Sequence, residues 1–170
     1  MKLFRYILIF LLYFNTNYSW AYSDQNIGFA DIDLVIQTTN IGNSTLKKIE
    51  TLNNSNVDKL KEFEKELKNN ENQINQKKNL ISSEEYEKEV LKFKNRVKDF
   101  KDKKNKMKIN FNQTKQNELN NLFKKINPVI QNYMNENSIG ILLNSKNIFI
   151  GSKKLDITQN LINEINNKIK

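Results

Sequence analysis

Asn79-Leu-Ile-Ser-Ser-Glu-Glu85 lies inside a run of 85 residues, 43–127, that contains neither Gly nor Pro. A run so free of helix breakers can carry long helices. Before it, Leu46, Ile49, Asn53, Asn56, Leu60, Phe63, Leu67, Asn70, Ile74, Lys77 and Ile81 follow at spacings of three and four. After it, Tyr86, Val90, Phe93, Val97, Phe100, Lys104, Met107, Phe111 and Thr114 repeat the spacing in a second register. Alternating threes and fours mark the seam of a left-handed coiled coil. Between the registers, Ser82 with Glu85 three residues on makes a capping box, so a new helix starts there. The pattern predicts an antiparallel helical hairpin over 46–125 with its tip near 79–83. Its outward helix of some 38 residues is about 57 Å long at 1.5 Å per residue. One continuous helix that dimerises is the competing geometry.

The seam is polar at Asn53, Asn56, Asn70, Lys77 and Lys104. A buried Asn sets register at a cost in stability, and several together predict loosely coupled, bendable arms. Beyond Thr114 the apolar set shifts to Leu119, Leu122, Ile126, Val129 and Tyr133, which predicts that the returning helix leaves its partner and packs elsewhere. Pro128 is expected to kink or restart it.

The flanks, 22–45 and 126–170, read as a β-containing body. Ile27-Gly-Phe-Ala-Asp31 followed by Ile32-Asp-Leu-Val-Ile36 reads as a strand passing into a helix, with Asp33 as its expected cap. Ile139-Gly-Ile-Leu-Leu-Asn144 and Ile148-Phe-Ile-Gly151, flanking Ser145-Lys-Asn147, read as a β-hairpin. Asp156, with Gln159 three on, is expected to cap a last helix whose apolar face is Leu161, Ile162, Ile165 and Ile169. Three short strands are too few for a stable sheet alone. Ile27, Phe29, Ile141, Leu143, Ile148 and Ile150 are therefore expected to build an oligomeric sheet or barrel with other copies of the chain.

At the N-terminus, Lys2 and Arg5 precede nine uninterrupted apolar residues, Tyr6 to Phe14, and Ser19-Trp-Ala21 supplies small residues at a cleavage site. Nine is short for a membrane span of about 20 residues and suits a secretory signal, 1–21, cleaved after Ala21. An uncleaved anchor is the alternative. The 170-residue chain has a net charge of +9 and contains no Cys and no His. Disulfides, thiol nucleophiles and imidazole chemistry are thereby closed to it. No cofactor or metal site is expected, and nucleic acid is set aside once the chain is read as exported. A carboxylate hydrolase would need two acids on a rigid cleft; Asp31 and Asp33 lie two apart near a strand end, but Asp33 is read as the cap of the next helix. Residues 92–108 hold Lys92, Lys94, Arg96, Lys98, Lys101, Lys103, Lys104, Lys106 and Lys108 against Asp99 and Asp102, a local surplus of seven positive charges. These nine are the candidate surface for an acidic partner. A solvated face that serves solubility is the plainer reading. Lipopolysaccharide or an anionic membrane surface is a further candidate partner.

The order of signal, strand, long basic hairpin, strand region and closing helix resembles the OmpH-like family of periplasmic chaperones. The local resemblance lies in Ile27-Gly-Phe-Ala-Asp-Ile-Asp-Leu-Val-Ile36, Asn127-Pro-Val-Ile-Gln-Asn-Tyr133, Ile148-Phe-Ile-Gly151 and Leu155-Asp-Ile-Thr158. It implies a mainly α protein with a small β part: a jellyfish-like homotrimer whose long antiparallel coiled-coil arms hang from a small β-barrel body. It also implies a non-enzymatic holdase that keeps unfolded outer-membrane β-barrel proteins soluble without ATP. A coiled-coil adaptor of the cell envelope, binding one folded partner, is the alternative function.

Overall fold

The computed structural model describes residues 26–169. The expected export signal over 1–21 and its cleavage site lie outside the described residues. Strand β1 (Asn26–Ala30) passes directly into the short helix α1 (Ile32–Thr38). Asp31, rather than the expected Asp33, caps α1 by accepting the Leu34 N–H at 3.0 Å. Its own N–H donates to the Thr158 hydroxyl at 2.9 Å, so the far end of the chain selects which aspartate sits at the cap. Asp33 instead lies in the first turn and pairs with Lys146.

Thr39 then breaks the helix with an extended backbone, and its buried hydroxyl accepts the Gly42 N–H at 3.3 Å. This starts helix α2 (Asn40–Lys77), 38 residues long. The first turn of α2 lies so close to the end of α1 that a Cβ on Gly42 would come within 1.9 Å of the Ile36 carbonyl oxygen. Ser82 caps the return helix α3 (Ser83–Glu136) through the Glu85 N–H at 3.3 Å. The chain therefore folds back, and the single continuous helix is excluded. Helix α3 is continuous over 54 residues with Pro128 inside it, so the chain does not restart a helix there. The lost backbone bond to the turn before it is tolerated in a helix whose neighbouring residues, Leu122, Ile126, Val129 and Ile130, pack into the core.

Strand β2 (Ile139–Asn144) lies parallel to β1, with Ile27 opposite Ile141 and Phe29 opposite Leu143. Parallel strands need a crossover, and here the crossover is the entire helical hairpin. The expected hairpin of 139–151 does not form. The Asn144 side chain accepts the Lys146 N–H at 3.1 Å and Ile148 N–H donates to Ser145 at 3.1 Å, which winds 145–147 into a 3-10 turn. Ile148–Gly151 is then not a strand. A second 3-10 turn, Lys153–Leu155, leads to helix α4 (Thr158–Lys168). Asp156 serves α4 from one position outside its cap, accepting both the N–H (3.0 Å) and the hydroxyl (2.6 Å) of Thr158.

The core is small. Ala30, Val35, Leu122, Ile126, Ile157, Leu161, Ile162 and Ile165 are buried together where β1, α1, the end of α3 and α4 meet. Burying one Leu or Ile side chain is worth about 1.5–3 kcal/mol, so the six Leu and Ile residues of this cluster anchor a body but leave the arm to its own seam. No described helix is long and apolar enough to cross a membrane.

Candidate functional site

The arm is a two-helix seam, and two helices bury only a narrow stripe. Ile74 alone of the apolar residues in the two spaced registers is buried, while Leu46, Ile49, Leu60, Phe63, Leu67, Tyr86, Val90, Phe93, Val97, Phe100, Met107 and Phe111 are half-buried. Asn56 and Asn70 sit in the seam as expected, but Asn53 is exposed and Leu52 turns inward in its place. Lys77 and Lys104 are also exposed.

The nine basic residues of 92–108 divide into two groups. Lys92 pairs with Glu89 at 3.1 Å on its own helix, and its hydrogen bond holds the Glu89 carboxyl below the usual range. Arg96 and Lys104 reach across to Glu66 and Glu64 at 3.9 and 3.8 Å. The Lys103 ammonium stands 3.6 Å from the centroid of the Phe63 ring. Arg96 and Lys103, with Phe63, Leu67, Asp99 and Phe100, line a shallow groove across the helices. Lys94, Lys98, Lys101, Lys106 and Lys108 make no ion pair among the described residues, and all are exposed. Screened pairs at an exposed surface are weak, so all nine remain available to a stronger anion, with the second group free from the outset. Among the described residues no cluster of acidic side chains forms a metal site.

The body carries a contrasting face. Ile27, Ile141, Leu143 and Ile150 are exposed, and Phe29 and Ile148 are half-buried. β1 turns Gly28 and Ala30 to the core and Ile27 to solvent, as period-two alternation requires. Phe149, which sequence reasoning left out, is the most exposed apolar residue described, at 102%. The strand expected over 148–151 places Phe149 in its middle, where one face would be covered. Leu91 and Ile109 on α3 were missed as well, because they fall outside the three-and-four spacing that defined the seam.

The OmpH-like outer membrane protein family matches residues 26–165. The fold is shared with the crystal structure of a candidate outer membrane chaperone (OmpH-like) from Caulobacter crescentus CB15, at a TM-score of 0.76 and 16% identity over 86% of each chain. Among curated proteins no relative matches. This chain belongs to the OmpH-like family, whose members are non-enzymatic.

Proposed function

We propose that the chain is a periplasmic holdase chaperone that binds unfolded outer-membrane β-barrel proteins without ATP and keeps them soluble on their way to the outer membrane. The reading rests above all on Lys94, Lys98, Lys101, Lys106 and Lys108, the five basic residues of 92–108 with neither an ion pair nor a ring partner among the described residues, a surface open to acidic, unfolded chains. The likeness to a candidate outer membrane chaperone supports it. Export by the signal over 1–21, cleaved after Ala21, would place the chain in the same compartment as such clients.

The working form in this reading is a homotrimer, in which Ile27, Phe29, Ile141, Leu143, Ile148 and Ile150 of three copies close a small β-barrel. The exposure of Ile27, Ile141, Leu143 and Ile150 supports this, since contiguous apolar patches on a soluble chain mark interaction sites. Residues 22–45 and 126–170 would make the body and 46–125 the arm. Long-range attraction brings the client to the nine basic residues from Lys92 to Lys108. Many weak contacts on three arms then add through effective concentration. Lipopolysaccharide or an anionic membrane surface is a second partner for the same charges.

The test dilutes a urea-denatured outer-membrane β-barrel protein into the processed chain, residues 22–170, and follows light scattering. The expected result is suppressed aggregation near three chains per client, weakened by salt. Scattering equal to that of the client alone, with the helical protein folded, overturns the reading.

A further inference from the structure

The two helices of the arm are tied to each other at two places. Near the root, the Lys48 ammonium meets the Glu118 carboxylate at 2.6 Å. Farther out, Lys103 lies over the Phe63 ring, and Lys104 and Arg96 reach Glu64 and Glu66. Between these ties, among the described residues, no side chain of 49–62 makes an ion pair or hydrogen bond to 105–117. The polar groups there serve their own helices. The Thr51 hydroxyl donates to the Lys47 carbonyl at 2.9 Å, and the Gln116 amide to Asn120 at 3.5 Å. A hydroxyl bonded four residues back often bends its helix. Ile49, Leu52 and Ser55 of α2 and Thr114 of α3 line an open groove of about 590 Å³. Just beyond it, Asn56 puts an amide into the seam.

Two rods side by side resist bending only where ties stop one from sliding past the other. Where ties and packing are missing, each helix bends as a single helix does. We infer that the arm has one joint, at Leu52–Asn56 of α2 and Phe111–Thr114 of α3, and that everything beyond it moves as a single rod. Such a joint is a property of the arm itself and needs no client. The polar seam positions taken alone point to looseness all along the arm. In the structure, however, Lys104 belongs to the outer tie, Asn70 lies one turn from the Glu66–Arg96 pair, and Ile74 beyond it is buried. Neither Gly nor Pro lies at the joint, so the bend is shared over a few residues of each helix instead of forming a kink. Asn56 is some 32 Å from Lys77, and a bend of about 15° carries the tip through about 8 Å.

The test places spin labels, which the absence of Cys allows at chosen positions. Asn79→Cys at the tip with Asn167→Cys on α4 straddles the joint, and Asn79→Cys with Lys106→Cys lies wholly beyond it; all three positions are exposed. Labelled chains are diluted into unlabelled parent so that distances within one copy are read. The 79–167 distance distribution should be about twofold broader than the 79–106 distribution. Filling the groove with Ser55→Leu/Thr114→Leu should narrow the first to the width of the second, whereas Asn70→Leu should leave it unchanged. Leucine is a better helix former than Ser, Thr or Asn, so these variants are expected to remain helical. Equally narrow distributions in the parent overturn the inference, since the arm is then stiff throughout. An equally broad 79–106 distribution, or equal narrowing by Asn70→Leu, overturns it in favour of looseness along the whole arm. A 79–167 distribution that stays broad in the filled variant overturns it as well and places the motion between arm and body.

Discussion

The Lys103 ammonium lies over the Phe63 ring, 3.6 Å from its centroid, and so ties the return helix of the arm to the outward one. A cation over an aromatic face is worth about 0.5–1 kcal/mol at an exposed site. It therefore rivals the looser cross-helix pairs of Arg96 and Lys104. In a double-mutant cycle with Phe63→Leu and Lys103→Met, followed by urea unfolding, the coupling is expected to be about 0.5–1 kcal/mol. Additive effects would show that the ring and the ammonium do not hold the helices together.

Gly42→Ala should destabilise the root of the arm. Alanine is the better helix former by about 1 kcal/mol, but its Cβ would sit 1.9 Å from the Ile36 carbonyl oxygen. Forcing α1 and α2 apart is expected to outweigh the gain, with a net loss of about 1–3 kcal/mol. A neutral or stabilising result in thermal unfolding would mean that α1 swings clear without cost.

Ser82→Ala removes the acceptor for the Glu85 N–H and the hydroxyl that donates to the Glu85 carboxylate at 3.2 Å. Loss of such a cap costs about 0.5–2 kcal/mol. Because the tip is far from the core, the loss should be local. Amide exchange at Glu84–Tyr86 is expected to accelerate while that around Ile126 stays unchanged. Equal acceleration at both would mean that arm and body open as one unit.

The Asp33 hydrogen bond raises the Lys146 ammonium above its ordinary range. A raised folded-state value means that the stabilisation is fully present below the ordinary lysine pKa and is lost as pH rises through the folded one. Both side chains are more than half exposed, so the effect is small. The melting temperature of the parent should exceed that of Lys146→Met by a small, constant margin near neutral pH. The margin should shrink in strong alkali. A margin that persists there would assign it to packing of the lysine stem.

The hairpin was legible because each of its signals is local. The three-and-four spacing and the Ser82–Glu85 cap lie within a few residues of what they determine. The errors fall where distant parts of the chain decide. Asp31 and Asp33 are equally good helix caps by sequence, and Thr158, from the other end of the chain, selects Asp31. Ile148-Phe-Ile150 has the composition of a strand, but the Asn144 and Ser145 turn aims it away from β2. The division of the basic run was equally hidden. Whether Arg96 meets Glu66, or Lys104 meets Glu64, depends on the relative register of two helices. Leu52 replaces Asn53 in the seam for a similar reason, since strict spacing does not weigh an amide against a neighbouring leucine.

The parallel pairing of β1 with β2 sets an order of events in folding. More than a hundred residues separate Asn26 from its partner Ile139, and joining such distant ends from a disordered chain carries a large loop-closure cost. The arm removes most of that cost, because its turn at 78–82 is local and its two helices close outward from there like a zip. Each added turn brings the ends of the loop nearer. The strands are therefore expected to meet last. Pulse-labelled hydrogen exchange during refolding should find the arm protected before Ile27 and Ile141. On this order the appendage assembles first and delivers the body to itself.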